Sequence, residues 1–168
     1  AGAQFGQVFG WERPQFFGNA PAVPLTFGKP AWFEQVAREV DAAHNRAALF
    51  DLSTFGTIDV EGADAARFLN RVCANDMDRP VGREIYTQML NERGGIESDV
   101  TVARHAAGSF MVMSSISHTR RDRDHLQRHL ADGEDVRLRD TTTAYAVLSV
   151  AGPKSRDLLA AVCDVDLS

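Results

Sequence analysis

The sequence predicts an α+β fold: an antiparallel sheet of hairpins with packed helices. Short polar breaks at 91–95 and 106–108 separate three strand-like stretches, and breaks that short join antiparallel neighbours. Segments with apolar residues three and four apart are interspersed with these hairpins, the mark of an α+β chain. The 168 residues, 44% hydrophobic and 24% charged, have the composition of a globular domain long enough to bury a core.

Residues 1–30 have no clean period and carry Phe5, Phe9, Trp11, Phe16, Phe17 and Phe27. A disordered linker is poor in aromatics, so this aromatic-rich connector is expected to lie against its own domain, over 31–168, or against a neighbour. Trp11-Glu-Arg-Pro14 is expected to be an ordered turn, because the residue before proline is pushed out of the helical region. From Pro30, which suits a helix start, Phe33, Val36, Val40, His44 and Ala47 mark one face of a helix running to Arg46. A short apolar strand follows over 48–52. Residues 54–61 alternate, with Ile58 and Val60 on one side and Asp59 and Glu61 on the other, as in a half-buried strand that Gly62 ends. Residues 63–73 read as a helix with Phe68, Leu69, Val72 and Cys73 inward. A turn by composition at 79–82 leads into strands over 84–90, 96–103 and 109–114. A helix over 119–130 turns Leu126 and Leu130 inward. Strands over 136–139 and 144–150 come next. Gly152-Pro-Lys-Ser155 opens a last helix with Leu158, Leu159 and Val162 as its stripe. That helix lacks a stop signal. With the aromatic start, this predicts an excerpt of something longer.

Composition narrows the function classes. The net charge of −5 argues against a dedicated nucleic-acid surface. No apolar run is long enough for a transmembrane helix, and no basic region followed by an apolar stretch marks a signal peptide. Sixteen Arg against two Lys suit bidentate anion recognition, though genomic base composition accounts for the bias more simply. Cys73 and Cys163 are far apart and lack metal-ligand spacing, which predicts free, buried thiols in a reducing, cytoplasmic setting; spacing alone leaves a bridge open. No glycine-rich phosphate loop of the common kinds is present. The run from His118 to His129 alternates in charge, with Asp124 and Arg128 as an i, i+4 pair, and reads mostly as a solvated helix face. His125 and His129 share the spacing of metal pairs but lack the accompanying Glu or Cys, so no metal site is expected.

Asp99 is the leading candidate for chemistry. It follows Gly94-Gly95, so the hairpin turn pins its position. Alternation places Asp99, Thr101 and Ala103 on one face and Val100 and Val102 on the other. A semi-buried carboxylate there suits a cationic or N–H-bearing ligand. By pattern alone an exposed strand acid or a turn cap fits better, since acids near loops are common. Tyr86 and Met89, on the partner strand, suit a heterocycle pocket or an ordinary core. Ser98 is next to Asp99 and therefore faces the other way.

Five segments together resemble one family, the tetrahydrofolate-binding T-protein (aminomethyltransferase) fold. They are Phe9-Gly-Trp-Glu-Arg-Pro14, Ala48-Leu-Phe-Asp-Leu-Ser-Thr-Phe-Gly56, Val60-Glu-Gly-Ala-Asp64, the run from Tyr86 to Asp99, and Ala151-Gly-Pro-Lys-Ser155. They occur in order over nearly the whole chain. The first resembles the branch fused to flavin-dependent dimethylglycine and sarcosine dehydrogenases, where it lies between the flavin and folate parts. The resemblance implies an N-terminal portion of that fold. It places Asp99 beside the folate amine nitrogens as the catalytic acid. It likewise implies that Tyr86, Phe55 and Met113 line the folate pocket. Ser115 stands where aminomethyltransferases proper carry an Asn that holds the pterin, a departure that favours the dehydrogenase branch.

The implied cofactor is tetrahydrofolate, with FAD only in a separate upstream domain. The implied partners are a one-carbon donor derived from a secondary or tertiary amine and a flavin dehydrogenase domain packing on residues 1–30. The family's fold continues for roughly another chain of this size and carries a further acid and an Arg. The pocket here is therefore expected to be partial and the isolated chain inactive. The implied function is one-carbon (aminomethyl or methylene) transfer. The carboxylate moves a proton between the folate nucleophile and the departing amine. Apolar walls exclude the water that would release the carbon as formaldehyde. A non-catalytic folate-binding or structural module, with Asp99 only orienting the ligand, and a tetrahydrofolate-dependent demethylase are the alternatives.

Overall fold

A computed structural model describes residues 2–18 and 26–167, so part of the connector expected over 1–30 lies outside the described residues. Its helices and antiparallel strands form the α+β class expected. The chain divides into two compact units, Ser53–Ala146 and Ala1–Leu52 with Val147–Ser168.

The Ser53–Ala146 unit holds β4 (Gly56–Glu61), α2 (Ala65–Val72), β5 (Glu84–Leu90), β6 (Ile96–Ala106), β7 (Ser109–Ser114), α3 (Thr119–Arg128) and β8 (Arg137–Asp140). The strands form one antiparallel sheet in the order β5-β6-β7-β4-β8. The hairpins β5–β6 and β6–β7 follow from their short connections, and β4 inserts between β7 and β8. One face is apolar: Ile58, Val60, Met89, Val100, Val102, Phe110 and Val112 are buried there, in one core with Phe68, Leu69 and Val72 of α2 and Leu126 of α3. The three- and four-residue spacing of the α2 residues is what turns one side of that helix to the sheet.

Two expectations for this unit change. Strand β4, flanked by β7 and β8, is not half-buried: Thr57 and Asp59 are buried too. Arg139 Nη2 donates to its Oδ2 at 2.9 Å, and Thr141 Oγ1 donates to its Oδ1 at 3.3 Å. The run from His118 to His129 is not mostly a solvated face: Thr119, Asp122, His125 and Leu126 are buried. Asp124 and Arg128 do form the surface pair, at 2.5 Å.

Gly62 ends β4 with φ +143°, and a Cβ there would overlap the Asp135 carbonyl oxygen. The approach is close because two connections clasp: Ala63 N–H donates to Asp135 Oδ2 at 3.1 Å and Asp135 N–H to Asp64 Oδ2 at 3.0 Å. Gly62→Ala is expected to cost about 1–3 kcal/mol of stability through backbone strain. Urea denaturation checks this, and an unchanged midpoint would show that the clasp yields freely.

Arg71 and Glu134 form a fork, with Nη1–Oε1 at 2.9 Å and Nη2–Oε2 at 2.7 Å. The hydrogen bonds from Arg71 hold the Glu134 carboxyl at about 2, down from the usual 4.5. A depressed carboxyl adds stability above its unfolded-state pKa and loses it as pH falls toward the folded value. Between pH 4.5 and 2, the melting temperature is therefore expected to fall more steeply in the native protein than in Glu134→Gln. Parallel pH–melting curves would remove the fork from the stability account.

The second unit contains β1 (Ala3–Val8), β2 (Trp11–Phe17), α1 (Phe33–Asn45), β3 (Ala48–Asp51), β9 (Leu148–Ala151) and α4 (Ser155–Ala160). Strands β1 and β2 form a hairpin, and β3 pairs antiparallel with β9. The turn expected at Trp11–Pro14 lies instead at Phe9-Gly10, where φ is 51° and 84°. Positive φ at both central residues is the type I′ geometry that suits strand twist. Trp11–Pro14 is strand: Pro14 pairs with Phe5 next to a register shift, in a two-stranded sheet where each strand is an edge that tolerates proline.

The aromatics divide: Phe16 is buried and stacks on Trp32 at 6.2 Å, whereas Phe5, Phe9, Trp11 and Phe17 are exposed. Helix α1 has no buried residue; Gln35, Val36, Glu39, Ala42 and Ala43 form its half-buried side, while Phe33, Val40 and His44 are exposed. The face read from the sequence is therefore displaced around the helix. The expected α4 stripe is likewise uncovered at Leu158 and Val162. Both cysteines are free, but only Cys73 is buried, and burial pushes its thiol up to about 12; Cys163 is exposed.

Candidate functional site

The sheet face away from the α2–α3 core brings the sequence candidates together. Alternation along β6 puts Val100 and Val102 into the core and Asp99 and Thr101 on this second face, where Asp99 is exposed. Tyr86 pairs with Thr101, Thr101 with Met113, and Met113 with Thr57, giving one row across four strands. In the adjacent row Gln88 pairs with Asp99. Phe55 and Ser115 each stand one residue beyond the Gly56–Ser114 pair, at the same end of the face. Thr57 is buried beside Thr141, and with neighbouring strands about 4.8 Å apart the open part of the row, across β5, β6 and β7, spans roughly 10 Å.

Tyr86 Oη donates to Asp99 Oδ2 at 3.1 Å. The two residues are diagonal neighbours across the β5–β6 pair, a separation that a tyrosine bridges. Tyr86 is 60% exposed, so the phenol lies along the surface and presents its ring. The turn that leads into β6 is stiff: Asn91 Oδ1 accepts from the backbone N–H of Arg93 at 3.0 Å and of Gly95 at 2.9 Å. Asn91 Nδ2 donates to Glu97 Oε1 at 2.8 Å, and that bond is the leading cause holding the Glu97 carboxyl below its usual range. Asp99 thus rises from an anchored hairpin as an exposed strand acid, one of the alternatives its pattern left open.

Met113 and Met111 are half-buried on the same face, supplying polarizable walls beside Tyr86. Ser115 is held in the β7–α3 connection: its Oγ lies 3.2 Å from Ser117 Oγ, and its carbonyl accepts from His118 N–H at 2.9 Å and Thr119 Oγ1 at 3.1 Å. Met89 does not join the site. Three residues from Tyr86, it faces the opposite side and is fully buried in the core.

Sequence reasoning missed two acids. Asp59, paired with Arg139, extends the second face in the row of Ala103 and Met111, and Thr141 stands beside Thr57 in the next row. Asp122 is fully buried beneath the sheet and accepts from Ser98 Oγ at 2.9 Å and from Ser114 Oγ. Its signal was present, since Asp122, Leu126 and Leu130 recur every fourth residue. The ring of His125 on this helix lies 4.3 Å from that of His129, the residue that caps its C-terminus, and burial first, then the neighbouring His129, holds His125 below the usual imidazole range.

The fold is a sheet with two helices on one face, and the chain belongs to the GCVT N-terminal domain family, whose profile matches residues 1–168. Among individual proteins, it is 36% identical over 99% of its length to 4-methylaminobutanoate oxidase (formaldehyde-forming) from Paenarthrobacter nicotinovorans, covering 20% of that protein. It is 31% identical over 95% of its length to the mitochondrial dimethylglycine dehydrogenase of Rattus norvegicus, covering 19%. The crystal structure of glycine cleavage system aminomethyltransferase T from Bartonella henselae matches with a TM-score of 0.79 and 28% identity, over 96% of this chain and 40% of that one. The chain thus spans about one fifth of the length of these curated relatives. No helix among the described residues is long and apolar enough to cross a membrane.

Proposed function

We propose that this chain is one wall of a tetrahydrofolate site, in the one-carbon transfer module of a dimethylglycine or sarcosine dehydrogenase-like protein. The observation that carries the reading is the Tyr86–Asp99 hydrogen bond on the second sheet face, with Met113 in the Tyr86 row and Phe55 and Ser115 just beyond the ends of β4 and β7. These residues suit the ligand. A flat heterocycle finds an aromatic ring and thioethers, and its N–H groups find a carboxylate. Bound tetrahydrofolate would supply a nucleophilic amine nitrogen that takes up the carbon. Asp99 accepts the proton that nitrogen releases and can return it to the departing amine. Tyr86 orients the carboxylate through its Oη. Phe55 and Met113 shield the site from water, and Ser115 offers a hydroxyl to the ring edge.

The GCVT family match and the structural likeness to aminomethyltransferase T support this reading. FAD belongs to a separate upstream domain in it. Residues 1–30 serve as the connector on which that domain packs, the exposed Phe5, Phe9, Trp11 and Phe17 providing an apolar surface. The folate pocket needs residues beyond 31–168, so the isolated chain is inactive.

The test is titration of tetrahydrofolate into the full-length protein and its Asp99→Ala variant. The one-carbon product is assayed with N-methylated amino acids as donors. Asp99→Ala is expected to weaken tetrahydrofolate binding about tenfold, the loss of a charge-assisted hydrogen bond. Equal affinity in the two proteins would sink the reading. A second reading draws on the words "formaldehyde-forming" in the name of one relative: the module binds folate without catalysing transfer. It requires free formaldehyde to accumulate even at saturating tetrahydrofolate.

A further inference from the structure

Asp122 is a buried acid with no part in the chemistry above, and its contacts single it out. Its Oδ2 accepts from Ser98 Oγ at 2.9 Å and from Ser114 Oγ. Ser98 directly precedes Asp99, and Ser114 directly precedes Ser115. Successive strand residues face opposite sides, so one carboxylate beneath the sheet grips the two adjacent strands at the residues that back two site positions. Helix α3 makes further grips on the same ends: Arg121 Nη2 donates to the Glu97 carbonyl, and the Ser115 carbonyl accepts from Thr119 Oγ1 at 3.1 Å.

The arrangement is poor as a stabilising device. Asp122 Oδ1 has no hydrogen-bond partner, and Arg121 Nε lies 3.7 Å away. A carboxylate buried with one oxygen lacking a hydrogen bond is a costlier core group than an apolar side chain. The same helix supplies one such side chain four residues on, Leu126.

We infer that Asp122 is a positioning residue: through Ser98 and Ser114 it ties β6 to β7 and holds the Asp99 carboxylate in place for the ligand. The inference rests on the folate reading above and adds to it a residue on the opposite side of the sheet. Displacements on the ångström scale are enough to matter at a reacting centre.

The experiment is a double-mutant cycle in the full-length protein, with tetrahydrofolate affinity and melting temperature measured for Asp122→Leu, Asp99→Ala and the double variant. Asp122→Leu is expected to melt lower, because the buried Ser98 and Ser114 hydroxyls lose their acceptor, and to bind tetrahydrofolate about tenfold more weakly. In the Asp99→Ala background the same change should cost less than about twofold, because the group it positions is gone. Asp122→Asn, which keeps an acceptor for the serines, should restore affinity to within about threefold of native. An equal loss in both backgrounds, an Asp122→Leu protein with native affinity, or an Asp122→Asn protein as weak as Asp122→Leu overturns the inference. If Asp122→Leu does not fold, Ser98→Ala takes its place in the cycle, with a loss of about threefold expected only when Asp99 is present. Native affinity in Asp99→Ala itself would instead be the failure of the folate reading.

Discussion

Asp99→Asn in the full-length protein is expected to lower one-carbon transfer to tetrahydrofolate by about 10²- to 10⁴-fold, the usual worth of a positioned acid–base group. Tetrahydrofolate affinity should stay within a few-fold of native. Asn has the shape of Asp, and its amide oxygen can still accept from Tyr86 Oη, whose bond to Asp99 is 3.1 Å in the native site. What it cannot do is take a proton. The substitution therefore separates a proton relay from a ligand-orienting acid, which an alanine variant cannot. Rapid-quench measurement of methylenetetrahydrofolate alongside free formaldehyde reads both outcomes: product should fall and formaldehyde rise in proportion. A variant that forms product at the native rate leaves Asp99 as an orienting group only.

Phe68→Ala is expected to cost about 3–5 kcal/mol, the range for truncating a large buried aromatic. Phe68 is fully buried on α2, in the same core as Ile58, Val60, Phe110 and Val112. Its ring also carries the Arg71 guanidinium, 5.4 Å from the ring centre. The cavity would thus loosen the platform beneath the Arg71–Glu134 fork as well as the sheet. Set against a typical stability of about 5–15 kcal/mol, the loss is a large fraction of the whole. Urea denaturation followed by far-UV circular dichroism measures it, and hydrogen exchange should show the five-stranded sheet losing protection. A cost below about 1 kcal/mol would mean the site collapses around the missing ring.

Local pattern read some elements well and others poorly, for identifiable reasons. Helix α2 was legible because Phe68, Leu69 and Val72 lie on one side at helical spacing and all three are buried. The β5–β6–β7 meander was legible because its breaks are short and polar. Helix α1 has a clear apolar stripe, yet its half-buried side runs through Gln35, Val36, Glu39, Ala42 and Ala43. Which side of a helix is covered depends on what packs there, not on its own stripe. In α3 the alternating charges obscured Asp122, although it shares a stripe with Leu126 and Leu130. Trp11–Pro14 misled because proline marks turns more often than strands, while the turn itself formed at Phe9-Gly10.

The sequence by itself determined the α+β class, the resemblance to the T-protein family, and the face on which Asp99 stands. That last point is local: the side-chain period of a strand is two, and the Gly94-Gly95 turn fixes where the strand starts. The tertiary structure alone decided that β4 pairs with β7, which brings Phe55 and Ser115 to the Asp99 end of the sheet. It alone placed Asp122 beneath Ser98 and Ser114. Strand order and helix docking are set by which distant surfaces bury each other, a property of the whole core that no short window of sequence encodes.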